Sequence, residues 1–410
     1  MELNFYATLV CMVAVLLIGR FIIKRIAFFH KYNIPESVVG GIIAAIILFI
    51  LNIKFNVQIK FDESIKEPLM LAFFASIGLS ADFASLKKQG KIIVIFLFCV
   101  TILLFAQNAI GVLLSQIMGV NPLLGLLGGS ITMSGGHGTG AAWADVFIKE
   151  PYLFAPAKEV ALASATFGLI MGGIIGGPVA RYLINKNNLK PDIAENKDYE
   201  IKDDDYKDES LFETPKKQKL ITSDTFIESL ALIAIPLLIG TQIAGTLKDT
   251  AFSLPTFVWC LFIGVLVRNT LQGLKVHKVF DREVSVIGNV SLSLFLALAL
   301  MTINLSQLVA LAVPILVILI AQVGLMILFA MFITFKIMGK NYDAAVLSAG
   351  HCGFGLGAMP TAMVNIQTIT NHYGPSHLAF IVVPLVGAFF IDLINALTIQ
   401  GFLYFIKFFY

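Results

Sequence analysis

Charge is what this chain lacks most. Only 13% of its 410 residues are Asp, Glu, Lys or Arg, against about 25% in a typical soluble protein. With 58% hydrophobic residues, the apolar excess is too large for a soluble core and is expected to face lipid. The formal net charge is only +3, and no basic run lies on an otherwise polar face, which argues against nucleic acid as a partner. Cysteine is scarce as well. Cys11, Cys99, Cys260 and Cys352 stand at no metal-ligand spacing, so they read as small buried hydrophobes and imply no disulfide framework. The start, Met1-Glu2-Leu3-Asn4, has no positive n-region, and no small-residue cleavage site follows. Residues 5–23 are therefore expected to be a retained first span.

Long apolar runs are abundant. A span needs about 20 mainly apolar residues, and ten candidates follow in order: 5–23, 36–53, 68–85, 91–118, 156–184, 224–246, 254–272, 284–301, 306–337 and 377–408. The stretch 185–220 breaks the pattern, with 8 lysines and 10 acids in 36 positions. It cannot bury enough apolar area to fold alone and reads as a polar linker. The organisation expected is an N-terminal membrane unit (1–184), the linker (185–220) and a C-terminal membrane unit (221–410). Lys24, Arg25, Lys31, Lys87, Lys88, Lys91, Arg181, Arg268, Lys275, Lys278, Arg282, Lys336 and Lys340 fall on one side. Lys54, Lys60, Lys66, Lys149, Lys158, Lys248 and Lys407 fall on the other, partly matched by acids. The positive-inside bias puts both termini outside and the linker in the cytoplasm.

A shift of about 220 residues brings features of the two units into register. Pro35 meets Pro255, and Phe61-Asp62 falls one residue off Phe280-Asp281. Ile117-Met118-Gly119 meets Ile337-Met338-Gly339, and Asn121 meets Asn341. Five spans is an odd number, so the second unit must insert upside down. The fold class expected is therefore an all-α polytopic membrane protein of two inverted-topology repeats, each with five spans and a re-entrant hairpin. Sites in such folds lie near the midplane at the repeat interface.

A glycine-rich stretch follows the matched asparagine in each unit. One is Ser134-Gly135-Gly136-His137-Gly138-Thr139-Gly140, in a hairpin near 122–150. The other is 350–365, containing Gly353, Gly355, Gly357, Thr361 and Asn365, in a hairpin near 343–374. Glycine costs a helix about 1 kcal/mol against alanine, and non-helical backbone survives in a membrane only where protein buries it or it lines a wet cavity. A broken helix exposes N–H groups that hold anions at one end. Its bare carbonyls at the other end, with hydroxyl and amide oxygens, suit a small hard cation. Each stretch could thus serve a carboxylated substrate, sodium, or both; close packing of small residues is the plainer reading. Substrate contacts are expected from residues 134–140 with Gly355, Gly357, Thr361 and Asn365. Sodium contacts are expected from Gly353, Thr361, Asn365, Asp392 and Asn395. Asp392, deep in the last span with Asn395 one turn on, is a functional candidate by default. It either balances a bound sodium or pairs with a donor on a neighbouring helix.

The other polar groups in apolar segments read more plainly. His137 and His351 are expected to be hydrogen-bonded structural histidines rather than a proton relay. Gln107 and Asn108 are expected to be glue between helices rather than cavity lining, and Glu159 and Arg181 to snorkel from the two ends of the fifth span. Trp143 is expected to wall the site and Trp259 to be packing material. Residues 353–357 are not a nucleotide fingerprint, since no strand–helix unit accompanies them. A membrane enzyme would have to work with His137, His351 and Asp392 alone. A channel built of carbonyl rings usually needs several identical loops.

At these residues the sequence resembles the bacterial sodium/glutamate symporter family. The cues are residues 134–143, residues 350–362, Val383-Pro-Leu-Val-Gly-Ala-Phe-Phe-Ile-Asp-Leu-Ile-Asn-Ala396, and Phe61-Asp62 through Pro68-Leu-Met-Leu-Ala-Phe-Phe-Ala75. The resemblance covers nearly the whole chain except the linker. One departure is Met359, where a small hydroxyl residue is expected before the proline. The resemblance implies a secondary transporter of the bacterial inner membrane that takes up L-glutamate with sodium as coupling ion and needs no other cofactor. It also implies ten spans, two hairpins of opposite orientation, a homodimer, and a plan similar to elevator-type carriers. The residues themselves leave another amino acid or a di- or tricarboxylate open as cargo.

Overall fold

A computed structural model describes residues 2–32, 34–83, 90–191, 221–247, 250, 254–303 and 305–409. Most of the expected linker, together with Lys87, Lys88, Lys248 and Asp249, lies outside the described residues. Within them the secondary structure is helical, apart from one isolated bridge between Glu2 and Lys60. In order the helices are α1 (Phe5–Arg25), α2 (Ala27–Lys31), α3 (Glu36–Phe55), α4 (Lys66–Ser80), α5 (Lys91–Ile117) and α6 (Pro122–Leu126). A π-helical segment (Leu127–Ile131) leads toward α7 (Gly136–Ile148), and α8 (Ala157–Lys186) closes the first unit. The second unit holds α9 (Ser223–Thr246), α10 (Thr256–Leu274), α11 (Asp281–Met301) and α12 (Leu305–Phe329). A second π segment (Ala330–Thr334) joins α12 to α13 (Phe335–Ile337). Then come α14 (Tyr342–Leu356), α15 (Met359–Tyr373) and α16 (His377–Leu385), a third π segment (Val386–Phe390), and α17 (Ile391–Phe409). Among the described residues, eight helices are long and apolar enough to cross a membrane, so the chain is a multi-pass membrane protein.

The boundaries follow local chemistry, and several recur between the units. Pro35 and Pro255 sit at the N-caps of α3 and α10, and Asn56 and Lys275 close the same two helices in left-handed conformation. Gly119 and Gly339 both turn with positive φ. After them, the side chains of Asn121 and Asn341 cap α6 and α14 by accepting from Leu123 N and Ala344 N at 2.9 Å. Each cap satisfies an N–H that a helix start leaves bare.

The helices form two groups. One contains α1, α3, α4, α9, α10 and α11; the other contains α5–α8, α12 and α14–α17. Inside the first, small residues let backbones touch: a Cβ on Gly78 of α4 would meet Leu261 O of α10 at 2.2 Å. That kind of packing replaces the hydrophobic drive that lipid removes. The seam between the groups carries Trp143 of α7 edge-on to Phe257 of α10 at 5.5 Å. It also carries an ion pair, Lys66 Nζ of α4 to Asp145 Oδ1 of α7 at 2.7 Å. A cavity of about 890 Å³ lies there, lined by Lys66, Trp143, Asp145, Lys149, Lys158 and Tyr404 among others.

Candidate functional site

The structure brings the two glycine-rich stretches together. Helix breaks fall at Ser134–Gly135, before α7, and at Gly357–Ala358, between α14 and α15. Gly136 turns with φ +66°, and a Cβ there would sit 3.5 Å from Gly357 O. Ser134 Oγ donates to Gly355 O at 3.2 Å and to Gln107 Oε1 at 2.8 Å. Gln107 Nε2 donates to the same Gly355 carbonyl at 2.7 Å. One buried amide on α5 thus ties both breaks, and Gln322 Nε2 of α12 holds the Gln107 backbone carbonyl at 2.7 Å. Asn108 Oδ1 accepts from Ser130 N at 3.0 Å, inside the first π segment. The reading of Gln107 and Asn108 as glue fits this placement.

The remaining candidates fall into two clusters. Asp392 Oδ1 on α17 accepts from Thr139 Oγ1 at 3.3 Å. Asn395, fully buried, accepts from Ser130 Oγ at 2.6 Å and donates to Ser130 O at 3.0 Å. Both therefore face the first stretch. Thr361 and Asn365 lie elsewhere, on α15. Asn365 Nδ2 donates to Gly172 O of α8 at 2.9 Å and to Ala349 O of α14 at 3.2 Å, while buried Thr361 Oγ1 has no partner among the described residues. The five expected sodium ligands are thus divided, with Gly353, Thr361 and Asn365 in one cluster and Asp392 and Asn395 in the other.

The second stretch breaks only at Gly357–Ala358, after most of its glycines. Gly350, Gly353 and Gly355 are inside α14, which runs unbroken to Leu356. Their smallness serves contact: a Cβ on Gly353 would lie 2.4 Å from Ala362 Cα, and one on Gly355 3.0 Å from Leu103 Cδ2. Gly138 and Gly140 likewise sit in helix, in α7, against Phe73 and Thr132. Gly353→Ala is therefore expected to pry α14 from α15, cutting uptake about fivefold to a hundredfold, since overpacking costs about 1–3 kcal/mol. Gly324→Ala, whose Cβ would meet nothing within 4 Å, serves as the control, and initial uptake rates at equal expression decide it.

Both histidines are hydrogen-bonded. His137 Nε2 lies 3.0 Å from Thr166 Oγ1, and His351 Nδ1 lies 2.9 Å from Thr334 Oγ1 inside a box of Phe96, Phe329 and Phe354. Trp143 is buried at the seam instead of walling the breaks, held by Phe147 and Phe257. Glu159 is buried rather than snorkelling. Ser130, Thr166 and Gln322 are site-bordering polar residues not singled out from sequence. Gln322 carried a signal, as a lone amide within a long apolar span.

The comparisons agree with one another. The family model described as "Sodium/glutamate symporter" matches residues 1–375. The sodium/glutamate symporter of Escherichia coli (strain K12) is 53% identical over 402 residues, 98% of each chain. That of Haemophilus influenzae is 50% identical over 395 residues, 96% of each chain. Both relatives are named as transporters rather than enzymes. With eight helices among the described residues long and apolar enough to cross a membrane, and two helix breaks meeting in its interior, the chain belongs to the sodium/glutamate symporter family.

Proposed function

We propose that the chain takes up L-glutamate with sodium across the bacterial cytoplasmic membrane. The observation that carries this reading is the meeting of the two breaks around Gln107, Ser134 and Gly355. Main-chain N–H groups at the start of α7, with Ser134, Gly135, Gly136, His137, Gly138, Thr139 and Gly140, would hold carboxylate; Gly355, Gly357, Thr361 and Asn365 would complete the substrate contacts. Sodium would be held by carbonyl and side-chain oxygens of Gly353, Thr361 and Asn365, with Asp392 and Asn395 supplying charge and amide oxygen from α17. Coupling arises if bound sodium and glutamate favour the same closed state. Because glutamate carries net −1, the membrane potential drives uptake only when more than one cation accompanies it, at about 2.3 kcal/mol per charge per 100 mV.

The same reading makes the two units inverted repeats, 1–184 and 221–410, joined by a cytoplasmic linker at 185–220. Segments 122–150 and 343–374 would be hairpins entering from opposite sides, with both termini outside. Of the two helix groups, the one holding the breaks would move against the other in an elevator-type step, and the apolar outer faces would serve lipid and a second copy in a homodimer. Uptake into vesicles with and without a sodium gradient, competed by amino and dicarboxylic acids, tests the assignment. Saturable sodium-driven glutamate counterflow supports it; a different best competitor reassigns the cargo, and ohmic current makes the protein a channel.

Thr361 and Ser130 separate binding from structure. Ser130→Ala removes the hydroxyl that donates to Asn395 Oδ1 and leaves the bond from Asn395 Nδ2 to the Ser130 main-chain carbonyl; it is expected to lower the melting temperature. Thr361→Ala removes a hydroxyl without a partner and is expected to leave the melting temperature in place while raising the sodium requirement for uptake. Thermal melts and sodium titrations of both variants check the pair.

A further inference from the structure

A second cavity, of about 290 Å³, lies at the far end of α8 from Lys158. Gly173, Ile174, Gly177, Pro178 and Arg181 of α8 form one wall. Thr361, Val364, Asn365 and Thr368 of α15 form another, and Lys31 with Tyr32 forms the third. Among the described residues, two of its lining side chains are cations and none is an acid. The 890 Å³ cavity differs, because its Lys66, Lys149 and Lys158 are answered by Glu63, Glu67, Asp145 and Glu150. The smaller cavity is therefore electrostatically set for an anion. It is also chemically unfinished: Thr361 Oγ1, 2% exposed, lines it without a hydrogen-bond partner among the described residues.

Arg181 is exposed, which fits the snorkelling expected of it, and its side chain also lines the cavity with Gly177, one turn earlier on the same face of α8. Helical side chains lean toward the N-terminus of their helix, which here points from Arg181 toward Gly173 and Thr361. Space is kept open along that line. A Cβ on Gly177 would meet nothing within 4 Å, and one on Gly173 would touch only Tyr32 and Thr361 at 3.4–3.5 Å.

We infer that this cavity is a carboxylate subsite in which Arg181 pairs with a carboxylate of the transported solute and Thr361 Oγ1 donates a further hydrogen bond. The planar guanidinium fork suits a carboxylate better than a lysine ammonium does, which makes Arg181 a specificity-determining residue for acidic over neutral solutes. The inference rests on the carrier reading above for the identity of the solute.

The test is equilibrium binding of radiolabelled L-glutamate, in sodium, to the full chain in phosphatidylcholine nanodiscs, where no anionic lipid competes. Arg181→Gln is expected to weaken binding about tenfold to a hundredfold and to shrink the preference for glutamate over glutamine. Arg181→Lys is expected to recover part of the loss. Gly177→Leu, filling open space, is expected to block binding without lowering the melting temperature. Binding of Arg181→Gln within twofold of the unaltered chain, with preference intact, would overturn the subsite. If the unaltered chain ignores glutamate, the assay runs with aspartate and succinate. Arg181-dependent binding of either keeps the subsite and reassigns the cargo, and binding of none overturns it. Sodium-driven uptake is measured in parallel; its absence beside intact Arg181-dependent binding would sink the carrier reading alone.

Discussion

Gln107→Leu is expected to lower sodium-driven uptake about tenfold to a hundredfold in a protein that still inserts and folds. The amide donates to Gly355 O at 2.7 Å and accepts from Ser134 Oγ at 2.8 Å. Leucine has a similar volume but can do neither. Each of the two bonds lost costs about 0.6–1.5 kcal/mol, while Ser134 Oγ still reaches Gly355 O at 3.2 Å. The combined loss is about 1–3 kcal/mol, and it falls on the contact that aligns the two breaks. Each 1.4 kcal/mol is worth about tenfold in rate, so uptake should fall about tenfold to a hundredfold. Ser134→Ala removes one of the two side-chain contacts to Gln107 and leaves Gln107 on Gly355, so its effect should be clearly smaller. Uptake rates of the two variants at matched expression decide it, and equal effects would mean that Gln107 only fills space.

Asp392→Asn should change the ion requirement more than the fold. Asparagine keeps an oxygen for Thr139 Oγ1, which donates at 3.3 Å, but it loses the charge. Unit charges 4 Å apart attract by about 4 kcal/mol at an effective dielectric of 20. A third of that already corresponds to a tenfold change in sodium affinity. The sodium concentration for half-maximal uptake is therefore expected to rise at least about tenfold, with the melting temperature nearly unchanged. An unaltered sodium titration would instead assign Asp392 to positioning Thr139.

Among the described residues, eight of the ten expected spans are helices long and apolar enough to cross, the exceptions being 68–85 and 377–408; those eight are legible in the sequence because twenty apolar residues in a row have few other fates. The asparagine caps and proline starts could be read for the same local reason: each satisfies or tolerates a missing hydrogen bond within one turn. The third span was harder. Its expected range, 68–85, begins after Lys66, but α4 starts at Lys66, whose ammonium is buried against Asp145, 79 residues away. Local periodicity holds no trace of that partner. The glycine runs showed where the breaks would fall but not how narrow they are. Gly353 and Gly355 read as flexible, whereas the structure uses their missing side chains to seat α14 on Ala362 and Leu103. Only a three-dimensional neighbour distinguishes those two uses of glycine. Ser130 was equally silent, because its value comes from Asn395, 265 residues on.

The most direct measurement of the central claim is an experimental density map of the full chain in nanodiscs with sodium and L-glutamate. The account predicts solute density bounded by Ser134–Thr139 of one stretch and Gly357–Asn365 of the other, absent from a map without solute. Solute density confined to the cavity around Lys66 and Asp145, with nothing at the meeting of the breaks, would contradict it.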